Sequence, residues 1–528
     1  MTCPLLPSEV LASPFTWRSI LHLSNRAHRV VSATFGQFKT ATLALLLFCG
    51  LDAAWAQTDP MRIDTIVIEG NQRTDEHIIR RELLFAVSEP VDTTLFAESE
   101  RNLRRLFFIG EVRIHAVADS GQLTVIVYVE DLYSRALSPL LSGQKNELSY
   151  GIVGLDYNLF GRGQSLQAIV EKRAISGIWA ETYFAEPRLS GTRHSLSSQL
   201  GAGTEGHAHS LEFARPFATL TDPQAYGFSI SSHRSLQRLY NNGQLNHRYS
   251  DSLHSGRFWF VRSFGHRVKI RPSLQLSISQ RRFAALPPFS YAPNDRTRII
   301  PSTTLLIWQP NYQRSRFVHD LGPLEDLQTG SWLSLSWGLA HSQLGSDRTF
   351  TFCRAQIVPS FQPSDRTFAQ LNLYASTRQT QSGLYNLSAR ASLMAYTRIQ
   401  STHSIALHIS WEALHRSEDA SQLLLGLERG LRGFTPRRFD GTRRLLINVE
   451  GRPTLIRNPR YVLAAAVFLD FGSAWTPATE RPDLRFAPGF GLRLGLPRVY
   501  NTPVFRSDLA YGIGGGAWQL SLGLGQYF

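Results

Sequence analysis

The sequence predicts a mainly β protein: a transmembrane antiparallel β-barrel of about 16 strands preceded by one small α+β domain. Three observations predict it. Segments that alternate apolar and polar residues recur from residue 147 to the end, with no helical segment between them. A stretch with the marks of an export signal comes first, and no run of about 20 apolar residues follows it that could cross a membrane as a helix. Between the two, the pattern reads strand, helix, helix, strand, strand.

The front end spans residues 1–56. Arg18, Arg26, Arg29 and Lys39 supply positive charge, "TATLALLLFCG" is a short apolar core, and Ala54-Trp55-Ala56 is a small-x-small cleavage site before Gln57. Bulky Phe48 before Cys49 argues against lipidation there. Two of the three cysteines, Cys3 and Cys49, fall in this presequence. Cys353 alone remains, so the mature chain has no intrachain disulfide and no cysteine-based zinc site.

Residues 57–132 form the small domain. "RIDTIVIEGNQRT" alternates and then stops at the turn pair Gly70-Asn71. Thr74 is the expected cap of a first helix carrying Ile78, Ile79 and Leu83, and Thr94 opens a second in which Leu95, Phe96, Leu103 and Leu106 share a face. "EVRIHAV" and "LTVIVYVE" then alternate as two strands around Asp119-Ser120-Gly121. The second strand of the domain, Glu111, Val112, Arg113, Ile114 and His115, is the candidate edge for adding an extended peptide strand, because the third is more apolar and so more central. Residues 133–146 read as a linker.

Residues 147–528 carry the barrel pattern. Leu274, Leu276 and Ile278 alternate with serine and glutamine in "SLQLSIS". Ile405, Leu407, Ile409 and Trp411 do so in "IALHISWEAL", and Trp518, Leu520, Leu522 and Leu524 in "AWQLSLGL". A closed barrel leaves no open sheet edge in lipid. Allowing about 24 residues per strand with its loop gives roughly 16 strands, an even number as such barrels have.

The chain has 55 Lys+Arg against 41 Asp+Glu, a net charge of +14, and only four of the 55 are lysines. The arginines are scattered without a recognition-helix or zinc-finger pattern, which excludes nucleic acid as the expected partner and places them on a water-lined surface or against anionic lipid. Neither G-x-S-x-G nor H-E-x-x-H occurs, and no nucleotide-binding motif does. The His207/His209 pair in "EGHAH" follows glycine in an expected turn and is not a metal site by its spacing alone. No catalytic residue, metal or cofactor is expected.

One stretch does not fit the alternation. "LLGLERGLRGFTPRRFDGTRR" is too rich in glycine and arginine for a packed strand and has no helical stripe. A loop that re-enters a barrel needs glycines for close approach and an anchor, and the arginine fork suits one or two carboxylates.

These features carry a resemblance. The small domain, with "VIEGNQRT", "LRRLFFIGEV" and "LTVIVYVED" at its landmarks, resembles a POTRA domain. Arg432, Gly433 and Phe434 in "LRGF" resemble the [V/L]RG[F/Y] motif of the BamA/TamA/Sam outer-membrane assembly superfamily (the bacterial surface antigen family), as "FLDFG", with Asp470 and Gly472, resembles its F-x-D-x-G motif. Glu450 in "LLINVEGR" stands where that family often has a lumen-facing acid, and "YNLFGRGQSL" and "YFAEPRLSGTRHSL" look like its first strands. Ser521, Gly523 and Phe528 resemble the C-terminal signal read by barrel-assembly machinery, with Gln526 where an apolar residue is usual.

The resemblance implies a bacterial outer-membrane protein that inserts or translocates polypeptides, its POTRA domain receiving the client in the periplasm. The implied partners are unfolded or extended client polypeptides, outer-membrane lipid including lipopolysaccharide, and accessory periplasmic proteins. The alternatives are a two-partner-secretion transporter, which usually has two POTRA domains and a plug helix, and a passive pore, for which the small domain would be superfluous. The implied anchor of the odd loop is Arg432 on Asp470 with Glu450 nearby.

Overall fold

The computed structural model describes residues 61–144, 146–316, 318, 321, 325–399, 403–477, 481–497 and 504–528. The export signal, its cleavage site, Cys3 and Cys49 lie outside them.

The small domain has the expected order: β1 (Thr65–Glu69), α1 (Glu76–Arg80), α2 (Thr93–Arg104), β2 (Ile109–Asp119) and β3 (Gln122–Asp131). β3 is central, parallel to β1 and antiparallel to β2. Its inward residues Val125, Val127 and Val129 meet Ile78, Ile79, Phe96 and Leu103 from the helices, and burying these apolar chains holds the domain together. Thr74 is not the cap of α1. Asp75 occupies that position, and the Thr74 hydroxyl instead donates to Asp131 at 2.7 Å. Asp92 caps α2 by accepting from the N–H of Thr94 at 2.8 Å.

Among the described residues, twenty antiparallel strands then close into a barrel. Proline breaks two of them without ending them. Phe350–Val358 continues past Pro359 as Ser360–Ser364, and Arg443–Arg452 past Pro453 as Thr454–Arg457, each pair of halves lying on one neighbour. The expected count of about 16 is corrected for two reasons. Turns at the end remote from the small domain are tight, as between Gly177–Glu186 and its predecessor or between Ser195–Gly203 and Gly206–Arg215, so each strand uses less chain than assumed. The stretch read as a linker is also mostly strand: Arg135–Gln144 is the first stave of the barrel, its strand signal weakened by Pro139 and Gly143.

The outer face is apolar. Leu274, Ile278, Val467, Phe490 and Leu520 are exposed there, while their strand neighbours point into the lumen. In the four strands Gly206–Arg215, Gln224–Asn241, Gln244–Arg262 and Lys269–Ala285 the lumen wall is mostly small or polar, with Ser231 and Ser255 sharing a hydrogen bond of 2.8 Å.

The small domain is clamped to one end of the barrel. Glu82 takes a two-pronged bond from Arg188 at 2.6 and 3.1 Å, and Glu98 accepts from the N–H of Leu220 at 2.6 Å. A two-stranded hairpin outside the barrel ladder, Tyr312–Ser315 with Glu325–Gln328, reaches the domain as well. Its Asp326 accepts the Arg104 fork at 2.7 and 3.0 Å, and its Arg314 pairs with Glu100. Tyr157, from a barrel strand, completes the domain's own core.

Candidate functional site in the barrel lumen

The odd loop connects Ser404–His415 to Arg443–Arg452 at the barrel end remote from the small domain. It folds into the lumen rather than away from it. A short ladder, Leu423–Leu425 against Phe439–Gly441, starts the descent. Leu425, Leu431 and Phe434 then pack with Leu446 and Ala487 of the wall as a buried apolar cluster. Two glycines make the approach possible. Gly430 has φ +108°, and a Cβ there would also strike Leu446 at 2.3 Å. A Cβ on Gly433 would lie 2.5 Å from the backbone nitrogen of Gly512, which cannot yield as a side chain could.

The structure brings Arg432, Asp470 and Glu450 together. Arg432 is fully buried. Its Nε and Nη2 donate to the two oxygens of Asp470, both at 2.8 Å, and its Nη1 donates to Glu450 at 2.8 Å. The Arg432 backbone N–H also reaches Asp470, at 3.2 Å. Asn448 ties the pieces together, donating to Asp470 and to the carbonyl of Gly430, each at 2.7 Å. Gly472 leaves room for Leu425, whose Cδ2 would lie 2.9 Å from a Cβ at that position. The Arg432 guanidinium lies over the Phe468 ring, 3.2 Å from its centroid. Such a site is dry, so each charge needs its partner.

More residues take part than the motifs name. Arg493 donates to Asp508 at 2.6 Å and to Glu450 at 3.1 Å, and Arg452 donates to Glu450 at 3.0 Å. The signal for them was parity alone: in "FGLRLGL" and "FRSDLAY" a charge stands on the lumen-facing positions of strands Arg485–Gly495 and Phe505–Tyr511. Two further arginines of this stretch, expected from the sequence on a water-lined surface, are paired. Arg444 donates to Glu412 at 2.6 Å, and Arg437 to Glu147 at 2.7 Å.

The C-terminus joins this cluster. Of the expected terminal signal, Ser521 and Gly523 lie in the last strand, Trp518–Leu524, but Phe528 does not. At Gly525 (φ +82°) the chain turns inward. Tyr527 sits between two guanidiniums, Arg432 at 4.3 Å and Arg506 at 4.2 Å from its ring centroid, and its hydroxyl donates to the carbonyl of Leu427. Phe528 stacks on His408 of the lumen wall.

The barrel closes where this tail leaves it. Between the last strand and Arg135–Gln144, Ser521 stands opposite Gln144 and Leu522 opposite Gly143, and among the described residues the ladder holds these two pairs. The next strand along pairs with Arg135–Gln144 over its whole length. The lumen loop touches both sides of this seam: Leu427 and Arg432 hold the tail of the last strand, and Arg437 holds Glu147 in the first hairpin.

In the small domain, β2 is an edge strand, but its first half is covered. The N–H of Ile114 is taken by Glu100 at 2.9 Å, that of Glu111 by Glu130 at 3.3 Å, and the Glu111 carboxylate lies 3.9 Å from Arg316. Hydrogen-bonding direction alternates along a strand. So Arg113 and His115 point their N–H groups at β3, and the free outward donors are Ala116 and Ala118. The exposed edge is His115–Asp119 rather than Glu111–His115.

No protein-family model and no curated protein sequence matches the chain. Among solved structures it is similar to BamA from Haemophilus ducreyi lacking POTRA domains 1–3, with a TM-score of 0.42 and 13% identity over 88% of this chain and 85% of that one. It is also similar to CdiB from Escherichia coli, with a TM-score of 0.44 and 13% identity over 87% and 76%, and to CdiB from Acinetobacter baumannii, with 0.42 and 13% over 88% and 73%. The barrel itself is established by its strand ladder, not by these likenesses.

Proposed function

We propose that the protein is an outer-membrane barrel that passes or inserts polypeptides by opening between its first and last strands. The small domain, acting as a POTRA domain in the periplasm, would present the client. The observation that carries this reading is the seam: two pairs in register among the described residues where neighbouring ladders run full length, bridged from inside by a loop held on buried charges. A passive pore has no use for a closure that is weak in one place and clasped there. Opening exposes backbone donors and acceptors on Arg135–Gln144 and Trp518–Leu524, the groups that template an incoming strand. No nucleotide is needed, because a client strand forming new ladder bonds supplies the driving free energy.

The test is a reversible staple. Ser521→Cys with Gln144→Cys, in a Cys353→Ser background, places a disulfide across the seam. Oxidation is expected to stop delivery of clients that are photo-crosslinked at Leu141 or Leu520 under reducing conditions, and reduction to restore it. A stapled barrel that still delivers them would refute seam opening. Whether the captured chain ends in the membrane or outside the cell separates insertion from two-partner-type secretion.

A further inference from the structure

We infer that the outer wall at the far end of strands Gly206–Arg215 to Lys269–Ala285 binds a phosphorylated glycolipid through Arg234, Arg282 and the histidines beside them, seated directly above an apolar belt. This rests on the outer-membrane reading above, which makes the end remote from the small domain the outer leaflet.

The register defines the site. Phe213, Phe228, Phe258 and Leu276 lie side by side on the outer face, and Leu211, Ile230 and Ile278 form the next row outward. One step further, about 7 Å along the strands, apolar side chains give way. His209, Ser232, His254 and Gln280 share one row, and His207, Arg234, Ser252 and Arg282 the next. Arg234, His254, His209 and Arg282 are exposed. His207 and His209 stack with ring centroids 4.9 Å apart, and His207 is fixed by Ser232 at 3.0 Å.

The sign of the charge on this face is not an average of the strands. These four strands contain two carboxylates, Glu212 and Asp251, and both face the lumen, where they meet Arg257 and Arg281. Beyond the strand ends, Glu205 is occupied by Arg238, and Asp295 accepts the N–H of Phe283 at 2.8 Å. Cations are thus left without acids where acyl chains end and headgroups begin. An anionic amphiphile fits both rows, its chains on the phenylalanines and its phosphates on the cations. Arg234 and Arg282 stand two strands apart, about 10 Å, which favours a headgroup bearing two phosphates over one bearing a single phosphate.

The experiment refolds the full chain into phosphatidylcholine vesicles, alone or doped with a diphosphorylated glucosamine-disaccharide lipid, its phosphate-free form, or phosphatidylglycerol. Lipid retained through detergent extraction is read by native mass spectrometry. The wild type is expected to retain the diphosphorylated lipid over the other two. Arg234→Gln with Arg282→Gln should retain about thirtyfold less, given ~1 kcal/mol per surface arginine. Arg257→Gln, which removes one charge from the lumen instead, should retain it like the wild type. His209→Gln with His254→Gln reads the same face without touching arginine and should also lower retention. Equal retention by both double variants, or no preference for the diphosphorylated lipid, overturns the inference alone. Absence of a compact, boil-sensitive band in any vesicle overturns the membrane reading and this inference together.

Discussion

The two sides of the barrel wall differ in how their lumen faces are used. From Gln164–Arg173 to Lys269–Ala285 the inward positions are mostly small or polar, with isolated ion pairs such as the partly exposed Arg257 with Glu212 at 3.7 Å. From Ser404–His415 to Phe505–Tyr511 the inward positions are Glu450, Asp470, Arg493 and Asp508, none exposed by more than 1%. Both walls alternate with the same period and both show an apolar outer face. The difference lies in what covers them. Small polar groups remain stable against water and need no cover. Buried charges need opposite charges at fixed positions, and the loop and the C-terminal tail bring Arg432 and Tyr527 to meet them. The side with a dry interior is also the side that ends at the seam, so the loop that satisfies the charges also holds the closure.

The largest effect expected from this contrast is at Arg432. Arg432→Ala leaves Asp470 without its cation and should cost ~3–5 kcal/mol, the range for halving a buried pair. Arg257→Ala on the open side should cost about 1 kcal/mol or less, because its pair is partly exposed. Protease cleavage within residues 416–442 on folded protein, together with denaturant midpoints, measures both. Equal costs would mean that the two walls do not differ in the way described. The cycle of Arg432→Ala with Asp470→Asn sharpens the same point, since strict additivity would deny their contact.

Next come two prolines in the domain beneath the open side. Arg113→Pro removes an N–H that β3 uses, with a cost of ~1–3 kcal/mol, and should loosen the small domain. Ala116→Pro removes an outward donor and should leave the domain folded while weakening client crosslinking at β2. Hydrogen exchange in β3 distinguishes the two. Undiminished crosslinking in a folded Ala116→Pro protein would move the client to β1 or off the domain.

Tyr527→Leu keeps apolar bulk in the tail and loses the ring between two guanidiniums, a change of ~1–2 kcal/mol. It should raise the rate at which a Ser521→Cys/Gln144→Cys pair is labelled by a thiol reagent, while the same change on the open side, Tyr183→Leu, should not. Unchanged labelling would show that the tail does not hold the seam.

The smallest expected effect is at Asp92. The hydroxyl and N–H of Thr94 hold its carboxyl below the usual range. A depressed value contributes stability that is present above the unfolded pKa and is lost as pH falls through the folded one. Loss of the cap hydrogen bond in Asp92→Ala should cost about 1 kcal/mol near neutral pH, the usual size for an N-cap. Below the folded value the two proteins should converge. Exchange of the α2 amides across pH measures this, and a difference that persists in acid would assign the effect to packing rather than to the cap.

Much of the molecule follows from local pattern. Period-2 alternation marks an apolar outer face because lipid leaves no other way to satisfy a strand. The order of elements in the small domain was readable from its turns and helical spacing, and the glycines and arginine of "GLRGF" stood out against the strands around them. Tertiary structure decided what depends on residues distant in sequence. The number of strands depends on where each turn falls, and Pro139 and Gly143 made the first stave look like a linker. Thr74 was a plausible cap until Asp131, far along the chain, took its hydroxyl. Arg493, Asp508 and Tyr527 carry no local signal, since one charge or ring on an alternating strand looks the same whether it meets water or a buried partner. Only closure of the barrel, which brings the last strand beside the first and the tail beneath the loop, puts those groups within bonding distance of Arg432 and Glu450.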